Sequence, residues 1–131
     1  MMGCCPRNIS ILFVDDEEDN RSLADEILGL HGFRVMLASD GAEAVAMYRE
    51  HKDHIAGVVL DLIMPRMGGR ETLTALKELN PDVPVLIISG YTEDDEIRRI
   101  LEEDRALFLR KPFQLADLVS RVEELVQSGI R

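Results

Sequence analysis

A chain of 131 residues in which 46% of side chains are hydrophobic and 31% charged has the size and balance of one folded domain, not of a disordered segment. Fifteen basic against twenty-five acidic side chains leave a formal net charge of −10, which repels phosphate backbones and argues against direct nucleic-acid binding. No apolar stretch approaches the roughly 20 residues that span a bilayer and none at the start forms a signal peptide, so the chain reads as cytoplasmic with no membrane contact.

Residues 1–8 are expected to be a disordered leader, or one left from cloning. Cys4 and Cys5 stand side by side within it, unlike the spaced cysteines of a secreted disulfide scaffold, and a palmitoylation or metal role for them is the lesser reading. The first predicted strand, Ile11 to Val14, ends directly in Asp15-Asp16-Glu17-Glu18. A helical stripe of Leu23, Ile27, Leu28 and Leu30 follows and is closed by His31-Gly32. Arg34 to Leu37 with its flanks forms the second strand, and Asp40 caps a second helix with Ala42, Val45, Ala46 and Tyr48 on its apolar side. The third strand, Gly57 to Leu60, runs straight into Asp61. A third stripe of Leu73, Leu76 and Leu79 stops at Asn80-Pro81. The fourth strand, Val83 to Ile88, ends in Ser89-Gly90, and Thr92 caps a fourth helix carrying Ile97, Ile100 and Leu101. Leu107 to Leu109 forms the fifth strand, ending in Arg110-Lys111-Pro112-Phe113. The last helix shows Leu115, Leu118, Val119, Val122, Leu125 and Val126.

Strands with continuous rather than alternating apolarity belong in a sheet covered on both faces, as parallel sheets are. Five strand–helix alternations with no linker between them predict one doubly wound α/β domain over residues 9–127, with 128–131 as a tail. In such folds ligands sit at the carboxyl ends of the strands, where the winding reverses. That edge gathers Asp15, Asp16 and Asp61. Two unit charges about 5 Å apart at an effective dielectric near 20 repel by roughly 3 kcal/mol, so three carboxylates need a cation or a proton. Oxygen-only ligands with room for water and phosphate suit magnesium better than zinc. Ser89 brings a hydroxyl to the same edge and Lys111 an ammonium, both suited to phosphoryl oxygens. Taken singly, the acids fit a solvated helix start, Ser89 a turn and Lys111 a surface lysine. Their joint appearance at successive strand ends favours chemistry.

The pieces Val14-Asp15-Asp16-Glu17, Asp61-Leu62-Ile63-Met64-Pro65, Ser89-Gly90 and Lys111-Pro112-Phe113 together resemble the receiver domain of two-component response regulators, over roughly Ile9 to Gln127. The resemblance implies a flavodoxin-like (βα)5 fold with parallel strand order 2-1-3-4-5, as in the chemotaxis regulators. It implies Asp61 as the phosphoacceptor, taking a phosphoryl group from a phosphohistidine on a histidine kinase or histidine phosphotransfer protein. Magnesium would be held by Asp16 directly, Asp15 through water, Asp61 and the Ile63 carbonyl, with Ser89 and Lys111 on the phosphoryl oxygens. The Lys111-Pro112 bond matches the family's cis peptide, and Ser89 and Phe108 match its switch pair. Their movement would reshape the surface of the fourth helix, fifth strand and fifth helix, which is also where a homodimer would form. Such a domain catalyses only its own phosphorylation and dephosphorylation. With no output module following, the chain reads as a stand-alone regulator or a piece of a hybrid kinase or longer regulator.

Two departures from the family pattern stand out: Gly68 where an Asp-like cap is usual, and Leu101 to Ala106 in place of a Gly-Ala turn. Ile63 and Tyr91 would govern access of hydrolytic water to the phosphate. Among rivals, a haloacid-dehalogenase-type phosphatase needs an Asp two residues after its nucleophile, where this chain has Ile63. A flavodoxin-like electron carrier would want a phosphate loop where Asp15-Asp16-Glu17 stands. A degenerate receiver acting only in docking is the remaining alternative.

Overall fold

Five strands lie parallel in one sheet, in the order β2-β1-β3-β4-β5 that the resemblance implies. In chain order they are β1 (Ser10–Val14), β2 (Arg34–Ala38), β3 (Ile55–Asp61), β4 (Val85–Ser89) and β5 (Leu107–Arg110). Among the described residues the helices are α1 (Glu18–Leu30), α2 (Gly41–His51), α3 (Gly69–Leu79) and α4 (Leu115–Gly129). This is a computed structural model that describes residues 10–61, 68–90, 106–111 and 113–129, without the side chains of 128 and 129. The predicted fourth helix with Thr92, Ile97, Ile100 and Leu101 lies outside the described residues, as do Cys4, Cys5, Ile63, Met67, Tyr91, Pro112 and the stretch 101–105.

Strand side chains alternate between two cores because successive residues point to opposite faces. Leu12, Val14, Val58, Leu60, Val85 and Ile87 pack on one face with Ala44 and Tyr48 of α2 and Leu73 and Leu76 of α3. Ile11, Phe13, Val59, Leu86 and Ile88 pack on the other with Ala24 and Leu28 of α1 and Leu118, Val122 and Leu125 of α4. The expectation that each of the five apolar runs is a buried strand needs correction at the edges. β1 and β4 are buried throughout and β3 nearly so, but β2 and β5 are largely half-buried because they form the sheet's edges. β4 also begins at Val85, not Val83, since Pro84 has no N–H to give the ladder; its carbonyl still accepts from Val58 N at 2.9 Å.

Two helical stripes also differ from expectation. On α1 the buried residues are Ala24 and Leu28, with Ile27 half-buried, whereas Leu23 is 44% and Leu30 78% exposed. Core-facing positions recur at three- and four-residue steps, and Ala24, Ile27 and Leu28 already satisfy that spacing. On α2 the buried set is Gly41, Ala44 and Tyr48, leaving Ala42 and Ala46 exposed. The terminators behave as read. Gly32, at φ 91°, closes α1: its N–H bonds to Gly29 O at 3.1 Å and Phe33 N to Leu28 O at 3.1 Å, the paired bonds of a Schellman ending. Asp40 caps α2 by accepting from Glu43 N at 2.8 Å, while Glu43 Oε1 accepts from Ser39 N and Ser39 Oγ. Asn80 ends α3 and its amide donates to the buried Tyr48 hydroxyl at 2.9 Å, tying α3 to α2.

Candidate functional site

Sheet register sets the site. Val14 pairs with Leu60, so the next residues, Asp15 and Asp61, leave the carboxyl edge side by side. Asp61 pairs with Ile88 and Ser89 with Arg110, and Lys111 N bonds to Ser89 O at 2.9 Å, which holds Lys111 at the same edge just past β5. Four strand ends thus bring three kinds of group, carboxylate, hydroxyl and ammonium, to one edge of the sheet. Among the described residues, Asp15, Asp16 and Asp61 can bring one carboxylate oxygen each within 4.8 Å of the others. Asp15 and Asp61 are buried, at 2% and 5% exposed, and Asp16 faces solvent.

The Lys111 ammonium donates to Asp61 Oδ2 at 3.0 Å. Burial disfavours its charge, but the hydrogen bond and charge of Asp61, with Asp15 and Glu17 behind, outweigh this and hold Lys111 above its usual range. Asp15 moves the other way from a typical paired carboxylate. Burial raises its pKa and the neighbouring Asp61 adds to that, against the lowering effects of the Glu17 amide, Lys111 and Asn20. The acids are therefore under electrostatic load that one lysine only partly relieves.

Helix α1 explains why these acids are not simply helix caps. Its N-cap is Glu17, which makes no side-chain capping bond, and the acids of the first turn are Glu18 and Asp19. Asp15 lies before the helix, where its Oδ1 accepts from Glu17 N at 2.9 Å and its Oδ2 from Asn20 Nδ2 at 3.2 Å. Asn20 Nδ2 also reaches Glu17 Oε1 at 2.9 Å, and Arg21 Nη1 reaches the Asp15 carbonyl at 2.8 Å. Sequence reading missed Asn20 and Arg21. Their only signal is a spacing of five and six residues after Asp15, which becomes legible once α1 is known to start at Glu18.

Ser89 is 1% exposed at the end of β4, and Phe108, paired with Ile87, is half-buried against the α2–α3 face. The expected carbonyl ligand of Ile63 and the expected cis bond to Pro112 fall outside the described residues. Gly68 is the N-cap of α3 without a side-chain bond, as its sequence position suggested. A groove of about 480 Å³ opens beside the site, with Asp15, Glu17, Asn20 and Lys111 at its polar end and Phe13, Leu23, Phe113 and Leu118 along its apolar part. Leu23 thus lines this groove instead of the core.

The family model of the response regulator receiver domain matches residues 11–123. The chain belongs to this family. The receiver domain is 38% identical over 117 residues to the transcriptional regulatory protein PrrA of Mycobacterium tuberculosis, covering 89% of this chain and 49% of that protein. It is 33% identical to the sensor kinase CckA of Brucella abortus, over 90% of this chain and 12% of that one. The chain thus spans about half the length, or less, of these curated relatives. Solved structures agree on the fold. The receiver domain of the hybrid histidine kinase CckA superposes with a TM-score of 0.75 at 33% identity, covering 90% of this chain and 99% of that one. CheY of Borrelia burgdorferi, in a complex with CheX, BeF3 and Mg2+, gives 0.82 at 30% identity, covering 89% and 88%.

Proposed function

We propose that this receiver domain accepts a phosphoryl group on Asp61 from a phosphohistidine of a histidine kinase or histidine phosphotransfer protein, with magnesium bound beside it. The observation that carries the reading is the convergence on Asp61 of Lys111, at 3.0 Å, and of the carboxylates of Asp15 and Asp16. A carboxylate oxygen of Asp61 would form the new bond to phosphorus as the phosphorus–nitrogen bond breaks and the imidazole leaves with its electron pair.

The donor set fits a hard divalent ion, since all three side chains offer oxygen and none offers nitrogen or sulfur. Asp16 and Asp61 would hold magnesium directly, Asp15 through water and the Ile63 carbonyl as a backbone ligand. Magnesium would neutralise charge among the acids and on the phosphoryl oxygens. Lys111, kept charged by its neighbours, would exchange its bond with Asp61 for one to a phosphoryl oxygen. The Ser89 hydroxyl would donate to another, and movement of Ser89 and Phe108 would bias two conformations of the surface formed by the predicted fourth helix, β5 and α4. That surface would carry output and any homodimer contact. In this reading the protein works in the cytoplasm and turns over no substrate beyond its own phosphate.

Beryllofluoride offers a test without a partner kinase. Fluorine NMR of the protein with magnesium is expected to show bound resonances that vanish in Asp61→Asn and in the absence of magnesium. Identical bound resonances in Asp61→Asn would overturn the assignment.

A further inference from the structure

Asn20 does something at this site that the receiver reading leaves unassigned. Its side-chain nitrogen lies 3.2 Å from Asp15 Oδ2 and 2.9 Å from Glu17 Oε1. Only the NH2 end of the amide can face two carboxylates, and it carries two hydrogens, so both bonds form at once. Both go to acids and neither to the helix backbone. Asp15 is therefore fixed from three sides: the Glu17 amide on Oδ1, Asn20 on Oδ2 and the Arg21 guanidinium on its carbonyl.

We propose that Asn20 is a positioning residue that clamps Asp15 and Glu17 together on the outer side of the cation site, presetting the acids for magnesium. The inference rests on the receiver reading, because it is the cation that makes the arrangement useful. Two like charges drawn to one neutral donor would otherwise separate, and the exposed Glu17 would turn to solvent. Asp15, in the role of binding magnesium through water, offers the ion nothing if its carboxylate swings away. Outer-shell partners that orient metal-binding groups are commonly worth about 10- to 100-fold in metal affinity. Ala and Leu are better helix formers than Asn, and Arg21 still holds the loop backbone, so removing the amide spares α1.

Magnesium is titrated calorimetrically into the wild type, Asn20→Ala and Asn20→Leu, and each protein's unfolding midpoint is measured without metal. The expected result is a Kd for magnesium raised about 10-fold in both variants, with metal-free midpoints within about 2 °C of wild type. Unchanged Kd values in the two folded variants, or a weaker Kd that comes with a large drop in the metal-free midpoint, would overturn the role. These failures differ from failure of the receiver reading itself, which would show as no magnesium binding by the wild type or as beryllofluoride binding by Asp61→Asn.

Discussion

Asp15 sits at 2% exposure with two further carboxylates around it, and without a cation its charge works against the fold. Its raised pKa means that the folded chain holds this proton more tightly than the unfolded chain does. The stability that follows is complete below the ordinary value of 3.8 and is lost as pH rises through the raised one. At pH 7, Asp15→Asn should therefore raise the unfolding midpoint of the magnesium-free protein by about 3 °C. That gain should shrink as the pH is lowered toward 3.8, and the same substitution should weaken magnesium binding. Thermal scans at several pH values check the sign. Lys111 follows the same rule in a higher window: with its pKa raised above 10.5, its contribution is still present at pH 7 and is lost only as pH climbs through the raised value. The residues at this site that sequence made legible, Asp15, Asp16, Asp61, Ser89 and Lys111, each stand within two positions of a strand end. Asn20 was not legible, because its reach depends on where α1 begins and which way its second residue pair turns.

At the scale of elements, α4 packs on β3 through a place where a side chain is missing. A Cβ at Gly57 would lie 2.6 Å from Leu125 Cδ2 and 3.1 Å from its Cγ. Leu125 is 2% exposed inside the core, so it has little room to swing aside. Gly57→Val should destabilise the domain by about 1–3 kcal/mol, read as a lower urea midpoint with an unchanged slope. Beryllofluoride binding should persist in the protein that remains folded, since Gly57 lies four residues upstream of Asp61. The apolar runs announced β3 and α4, but not that they meet so closely. A stripe also tells more about a helix's existence than about its buried face. Leu23, Leu30, Ala42 and Ala46 are exposed because Ala24, Leu28, Ala44 and Tyr48 already fill the layer beneath.

Across the whole molecule, the alternation of apolar strands with amphipathic helices was enough to predict a parallel doubly wound sheet with chemistry at its carboxyl edge. The order β2-β1-β3-β4-β5 came from resemblance, because parallel strands can be wound in more than one order with the same local pattern. Which strands lie at the edges follows from that order, and so does the partial exposure of β2 and β5. A net charge of −10 disfavours the approach of an anion, so in the proposed reading phosphoryl transfer depends on local cations, Lys111 and magnesium. Intact-mass spectrometry after incubation with acetyl phosphate and magnesium tests that reading most directly. The wild type is predicted to gain the mass of one phosphoryl group and to lose it on chelation-free standing, while Asp61→Asn gains none; equal labelling of wild type and Asp61→Asn would contradict it.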